Sequence, residues 1–104
     1  MPEPQDKQDA EPLPAFEIIE PKHGVYHFYA NRVDALWTPH DVKIKFFELM
    51  RITKIPDSPR LNVYEERAGA TLAWTEAKIL ALMLTGLIED YEKLNGEIKI
   101  GKIP

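Results

Sequence analysis

The chain of 104 residues has no cysteine. This excludes disulfides, thiolate nucleophiles and cysteine-ligated metals, and it fits the reducing cytoplasm, the compartment expected for this chain. Serine occurs once, as Ser58 between Pro56 and Pro59. It lacks the flanking glycines of a nucleophile elbow and reads as a turn residue. None of the five glycines falls in a G-x-G-x-x-G or Walker arrangement, so no phosphate cradle is indicated. The longest apolar run, Ile79 to Leu84, is far short of the roughly 18 residues needed to cross a bilayer. Positive charge is in deficit, with 13 Lys and Arg against 17 Asp and Glu, giving a net charge of -4. That balance disfavours nonspecific binding to nucleic acid. The acidic, proline-rich N-terminus is the reverse of a secretory signal.

What is present describes one globular domain with a tail. Residues 1–14 carry four of the nine prolines, with Glu3, Asp6, Asp9 and Glu11, and almost nothing apolar before Leu13. They read as a disordered acidic tail, leaving residues 15–104 as a single domain. At this size a domain hides only about 60–70% of its unfolded surface, so association with another chain helps it. Residues 15–20 suit a short edge strand that Pro21 ends. Residues 24–37 are rich in β-branched and aromatic side chains and read as the first firm strand, with Val25, His27 and Tyr29 on one face and Tyr26, Phe28 and Ala30 on the other. Thr38-Pro39-His40-Asp41 is a turn. Residues 42–52 alternate, with Val42, Ile44 and Phe46 on one face and Lys43 and Lys45 on the other, and should form a hairpin with the first strand. After a Pro56/Pro59 loop, residues 61–74 form a third strand with a bulge or bend at Ala68-Gly69.

The helix follows at once. Thr75 is placed as its N-cap, Glu76 complements the positive end, and Asn95-Gly96 closes it. Ala77, Leu80, Ala81, Leu84, Leu87, Ile88 and Tyr91 form a broad apolar stripe at helical spacing. That stripe is expected to dock on the hairpin, bringing Ile44, Phe46, Leu80, Leu84, Leu87 and Tyr91 into one core. Ile79, Leu82, Met83 and Gly86 point the other way. A small monomer cannot cover both sides of its only helix, so these four residues are assigned to a homo-oligomer interface, most simply a two-fold dimer. Glycine inside a helix costs about 1 kcal/mol relative to alanine, and Gly86 therefore marks close approach by another backbone or ring. Two intramolecular covers compete for the same patch, residues 16–19 and residues 98–103.

Strands followed by one helix, without alternation, indicate an α+β fold: an antiparallel sheet of three or four strands and one long C-terminal helix, in the order β-β-β-α. Tyr29-Ala30-Asn31-Arg32-Val33, Thr38-Pro39, Phe46-Phe47, Thr75-Glu76-Ala77-Lys78 and Asp90-Tyr91-Glu92 closing on Gly96-Glu97-Ile98 occur in that order. This succession, over residues 25–100, resembles bacterial domain-of-unknown-function family 3467. The chain departs from that family at the helix start, where Trp74-Thr75-Glu76 stands in place of Ser-Pro. The resemblance implies the architecture and no catalytic residues. The layout is also similar to that of the SecB export chaperones, a likeness of fold alone.

No constellation of residues builds a catalytic centre. His23, His27 and His40 lie toward the two ends of the first strand, and His23 and His27 are about 13 Å apart along an extended chain, too far for one metal ion. Adjacent strand residues place Glu65 and Glu66 on opposite faces, and Glu89, Asp90 and Glu92 read as a solvated helix end. Lys43, Lys45, Arg51, Lys54 and Arg60 with the rings of Tyr26, Phe28, Tyr29 and Trp37 make the best case for nucleic acid, against which stands the acidic balance. Basic residues on a hairpin face also guard sheets against unwanted pairing. Trp37 and Trp74 mark strand ends as core or interface anchors. The expectation is a non-enzymatic oligomeric interaction module, adaptor or chaperone-like, without catalytic, cofactor or metal residues, with Tyr26, Phe28, Tyr29 and Trp37 as a surface for a protein partner. The alternatives are a small-ligand binder or enzyme with its site between subunits, and nucleic-acid binding through the Lys43/Lys45 face.

Overall fold

The computed structural model describes residues 14–101. The tail assigned to residues 1–14 lies outside this range apart from Pro14. Three strands, β1 (Arg32–Trp37), β2 (Asp41–Thr53) and β3 (Leu61–Ala73), form an antiparallel sheet in the order β1-β2-β3, followed by one helix, α1 (Trp74–Asn95). This is the α+β, β-β-β-α architecture read from the sequence.

The β1–β2 hairpin is closed by its turn. Thr38 N donates to Asp41 O at 2.8 Å, and Thr38 Oγ1 accepts from the backbone N–H groups of His40 and Asp41, each at 3.1 Å. The same hydroxyl donates to the Asp41 carboxylate at 3.0 Å. Threonine at the head of the turn and Pro39, with its fixed φ, at the next position supply this geometry locally. The β2–β3 ladder shifts register between Phe46 and Phe47, leaving Arg67 without a ladder partner. The break falls one residue before the expected Ala68-Gly69 bend. The Arg67 guanidinium reaches Glu48 Oε1 at 2.9 Å and Glu65 Oε1 at 2.9 Å, so the bulge is held by a forked ion pair.

The register sorts the side chains. Val33, Ala35 and Trp37 of β1 stand opposite Phe46, Ile44 and Val42 of β2, which stand opposite Ala68, Ala70 and Leu72 of β3. Paired residues share a face, so between Val42 and Phe46 one face of the sheet is apolar across all three strands, and beyond Phe46 the same face carries Glu48 and Glu65. The other mixes Arg32, Asp34, Lys43, Lys45, Phe47, Glu66 and Thr71.

Several expectations are corrected. Residues 15–20 form no strand, and residues 24–31 join no ladder, so the first strand starts only at Arg32. The β propensity of Val25-Tyr26-His27-Phe28-Tyr29 is real, but no edge within the chain pairs with it. Helix α1 begins at Trp74 with Ala73 as N-cap and no side-chain cap, so Thr75 is already inside the first turn. The expected docking of α1 on its own hairpin does not occur. No residue of α1 is buried, and Val42, 7% exposed, is the one buried hydrophobic side chain among the described residues. The chain's radius of gyration is 20.5 Å, against about 13 Å for a compact chain of this length.

The helix C-terminus follows the sequence reading. Gly96 N donates to Glu92 O at 2.8 Å with φ 88° and ψ 170° at Gly96, a region open essentially to glycine alone. Gly96→Ala should therefore lower the free energy of unfolding by about 1–3 kcal/mol, while Gly101→Ala, at a glycine without positive φ, should stay within about 0.5 kcal/mol of wild type in urea denaturation.

Candidate functional site

The distinctive feature of the molecule is a pair of apolar surfaces that the chain does not bring together. The junction between β3 and α1 explains why. Ala73 is still paired with Asp41, and the next residue, Trp74, is already helical. Trp74 is fixed in turn: its indole Nε1 donates to Thr38 O at 2.9 Å, and its ring meets Trp37 edge-on at 6.3 Å between centroids. Connections that fold a helix back on its strand ordinarily use about 2–6 residues. With none, α1 leaves the end of the sheet and touches β2 and β3 only sparsely. Sequence reasoning noticed Trp37 and Trp74 as markers of strand ends but missed that together they clamp the helix start.

Along α1, Ala77, Leu80, Ala81, Leu84, Leu87, Ile88, Tyr91 and Leu94 occupy about 140° of the circumference at 100° per residue. Leu84 is 47% exposed and Leu87 58% exposed, in the middle of that stripe. On the other side, Ile79, Leu82, Met83 and Gly86 cover about 100°, with Leu82 66% exposed. A Cβ added to Gly86 would meet nothing within 4 Å. All four residues assigned to an interface are therefore accessible. Of the two intramolecular covers, Phe16, Ile18, Ile19, Ile98 and Ile100 are themselves exposed, and residues 102–103 lie outside the described residues.

The aromatic set is only partly assembled. Tyr26 stacks on Phe28 with centroids 6.4 Å apart, and Phe28 lies 5.3 Å from Phe46 on the apolar sheet face. Tyr29 is exposed, and Trp37 sits at the opposite end of the same face, 71% exposed. Lys43 and Lys45 project from the other face, where Lys45 stands opposite Asp34. Phe28 and Trp37 are thus on the opposite side of the sheet from Lys43 and Lys45, and a platform that stacks bases while holding their phosphates needs them on one side.

Two of the acidic candidates, Glu65 and Glu92, have structural duties. Glu65 and Glu48 hold Arg67, and Glu66 faces the other way. Glu92 Oε2 accepts from Ile98 N at 2.8 Å, tying the segment after α1 back to the helix. A concavity lined by Glu89, Glu92, Lys93 and Glu97 sits at this end of the helix. Ser58 N donates to Ile55 O at 3.1 Å within the loop of residues 54–60, as a turn residue should. Among the described residues, no three His, Asp or Glu side chains converge as a metal site requires, and His23, His27 and His40 are not gathered. No described helix is long and apolar enough to cross a membrane.

Compared with models of known protein families, with curated proteins and with solved structures, the chain shows no match.

Asn31, inside the Tyr29–Val33 motif, does structural work. Its backbone N–H donates to Phe47 O at 2.9 Å, and its side-chain Oδ1 accepts from Leu49 N at 2.9 Å, carrying the β1–β2 pairing past the end of β1. Asn31→Ala removes the acceptor and should cost about 1 kcal/mol in thermal or urea unfolding, whereas Asn31→Asp, which keeps an acceptor oxygen, should cost less.

Proposed function

We propose that this chain is a non-enzymatic oligomeric interaction module, an adaptor or chaperone-like binding protein of the cytoplasm that works as a homo-oligomer. The observation that carries the reading is a 22-residue helix, apolar over most of its circumference, with no buried residue. Isolated helices in water draw little stability from propensity and depend on packing of an apolar face. The chain has 10054 Å² of accessible surface, where a compact chain of 12.0 kDa has about 6,000 Å². The excess comes from the uncovered helix and sheet together with the exposed segments of residues 14–31 and 96–101. A second copy is the occupant that supplies a matching apolar surface of this extent.

In this reading Ile79, Leu82, Met83 and Gly86 form a contact between copies, with Gly86 allowing the backbones to approach. Tyr26, Phe28, Tyr29 and Trp37 supply aromatic surface for a protein partner. The dispersal of the charged side chains and the separation of Lys43 and Lys45 from Phe28 and Trp37 support a binding role over catalysis or nucleic-acid recognition. We include the relation to domain-of-unknown-function family 3467 in this proposal, on the ordered motifs of residues 25–100.

Light scattering at micromolar concentration should give the wild type a mass above one chain, and a Leu82→Asp, Met83→Asp double variant a smaller mass than wild type. A single-chain mass for the wild type would end the oligomeric reading. An unchanged mass for a folded double variant would move the contact elsewhere on the chain.

A further inference from the structure

Resting on the oligomeric reading, we infer that two copies exchange their helices: α1 of each docks its broad stripe on the apolar sheet face of the other. The sheet face of Val33, Ala35, Trp37, Val42, Ile44, Phe46, Ala68, Ala70 and Leu72 and the stripe centred on Leu84 are the two halves of one α/β layer pair. In a β-β-β-α chain with a connecting loop they would meet within one molecule. Here the strand is still in its ladder at Ala73 and the helix starts at Trp74, pinned to Thr38 and Trp37, so the same chain cannot close the layer.

The dimensions agree. The apolar part of the sheet face runs from Val42 to Phe46, about 13 Å at 3.3 Å per residue, and beyond it the same face carries Glu48 and Glu65; the middle of the stripe, from Leu80 to Ile88, is about 12 Å long at 1.5 Å per residue. Three strands about 4.8 Å apart make a strip of much the same width as one helix with its side chains, about 10–12 Å. The middle of one helix therefore covers the apolar part of one sheet, and a two-fold axis lets each copy give and receive.

The occupant of the stripe is a sheet and not a second stripe. A two-stranded coiled coil uses a narrow seam flanked by charged pairs. Here the residues flanking the Leu80, Leu84, Leu87 and Tyr91 line include Ala81 and Ile88, so the apolar surface is too broad for a partner helix to hide and suits a sheet. The side carrying Ile79, Leu82, Met83 and Gly86 then faces away from the sheet and is free to join one exchanged pair to another. Phe28, over Phe46, and Trp37, against Trp74, flank the docked helix at the two ends of the face.

The test uses the full chain carrying Leu82→Asp and Met83→Asp, which leaves only the exchange contact. Light scattering should give the mass of two chains. Inserting six Gly and Ser residues between Ala73 and Trp74 should halve that mass at micromolar concentration while the helical circular dichroism persists, because the longer junction lets α1 reach its own sheet at a millimolar effective concentration. A two-chain mass that survives the insertion overturns the exchange, as does a folded single chain before insertion. Should the inserted variant lose its helix, methyl nuclear Overhauser spectra of a mixed labelled and unlabelled sample of the uninserted chain decide. Contacts between chains from Leu84 and Leu87 to Ile44 and Phe46 are expected, and contacts between chains from α1 to α1 alone overturn the inference. A wild type that is already a single chain removes the oligomeric reading itself, a result distinct from a wild-type oligomer without exchange.

Discussion

The structure depends on a junction with no slack. Ala73 is paired with Asp41 in the sheet and Trp74 is the first residue of the helix, with its indole held by the Thr38 carbonyl. A flexible loop at this point would let the broad stripe of α1 fold onto the apolar sheet face and complete a small monomeric domain. Without one, both surfaces form, each with the pattern of a core layer, and the two do not come together within the chain. The proposed oligomer and helix exchange rest on this local constraint.

The energetics point the same way. A three-stranded sheet needs a covered hydrophobic face for independent stability, and a helix of this length in water depends on packing. In the single chain the sheet has Val42 as its one buried hydrophobic side chain, and α1 has none. Burial of apolar surface, at about 25 cal/mol per Å², is the main favourable term available to offset conformational entropy. A chain that leaves Leu84, Leu87 and Leu82 near half exposure or beyond has most of that term still to gain. The polar side chains do not compensate, since the Arg67 ion pairs with Glu48 and Glu65 are partly solvated and such pairs contribute little.

Much of this was legible in the sequence. Alternation in residues 42–52, the Thr38-Pro39 turn and the Asn95-Gly96 stop located the hairpin and the helix end, because each is a local signal with a local cause. The bulge was placed within a residue or two of Arg67. The extended reading of residues 24–31 failed because β propensity in Val25 to Tyr29 says what a segment suits, not whether an edge is present to pair with it. The docking of α1 on its own hairpin failed for a related reason. Periodicity identifies the face that must be buried and is silent on which chain buries it. The deciding detail was one residue wide: with Thr75 read as N-cap, Trp74 belonged to the strand, and only the register shows Trp74 as the helix start, locked against Trp37. The surface residues Ile79, Leu82, Met83 and Gly86 were readable from the helical wheel, and Leu94, at the end of the helix, extends the broad stripe.

In the proposed exchange folding and association are one event, and thermal stability then depends on chain concentration. The most direct measurement is the Tm of the wild-type chain, followed by circular dichroism across a hundredfold range of concentration. A Tm that rises steadily with concentration is the predicted result. A Tm that stays constant across that range, with helix and sheet signals melting together, would show that one chain folds without a partner and would contradict the account.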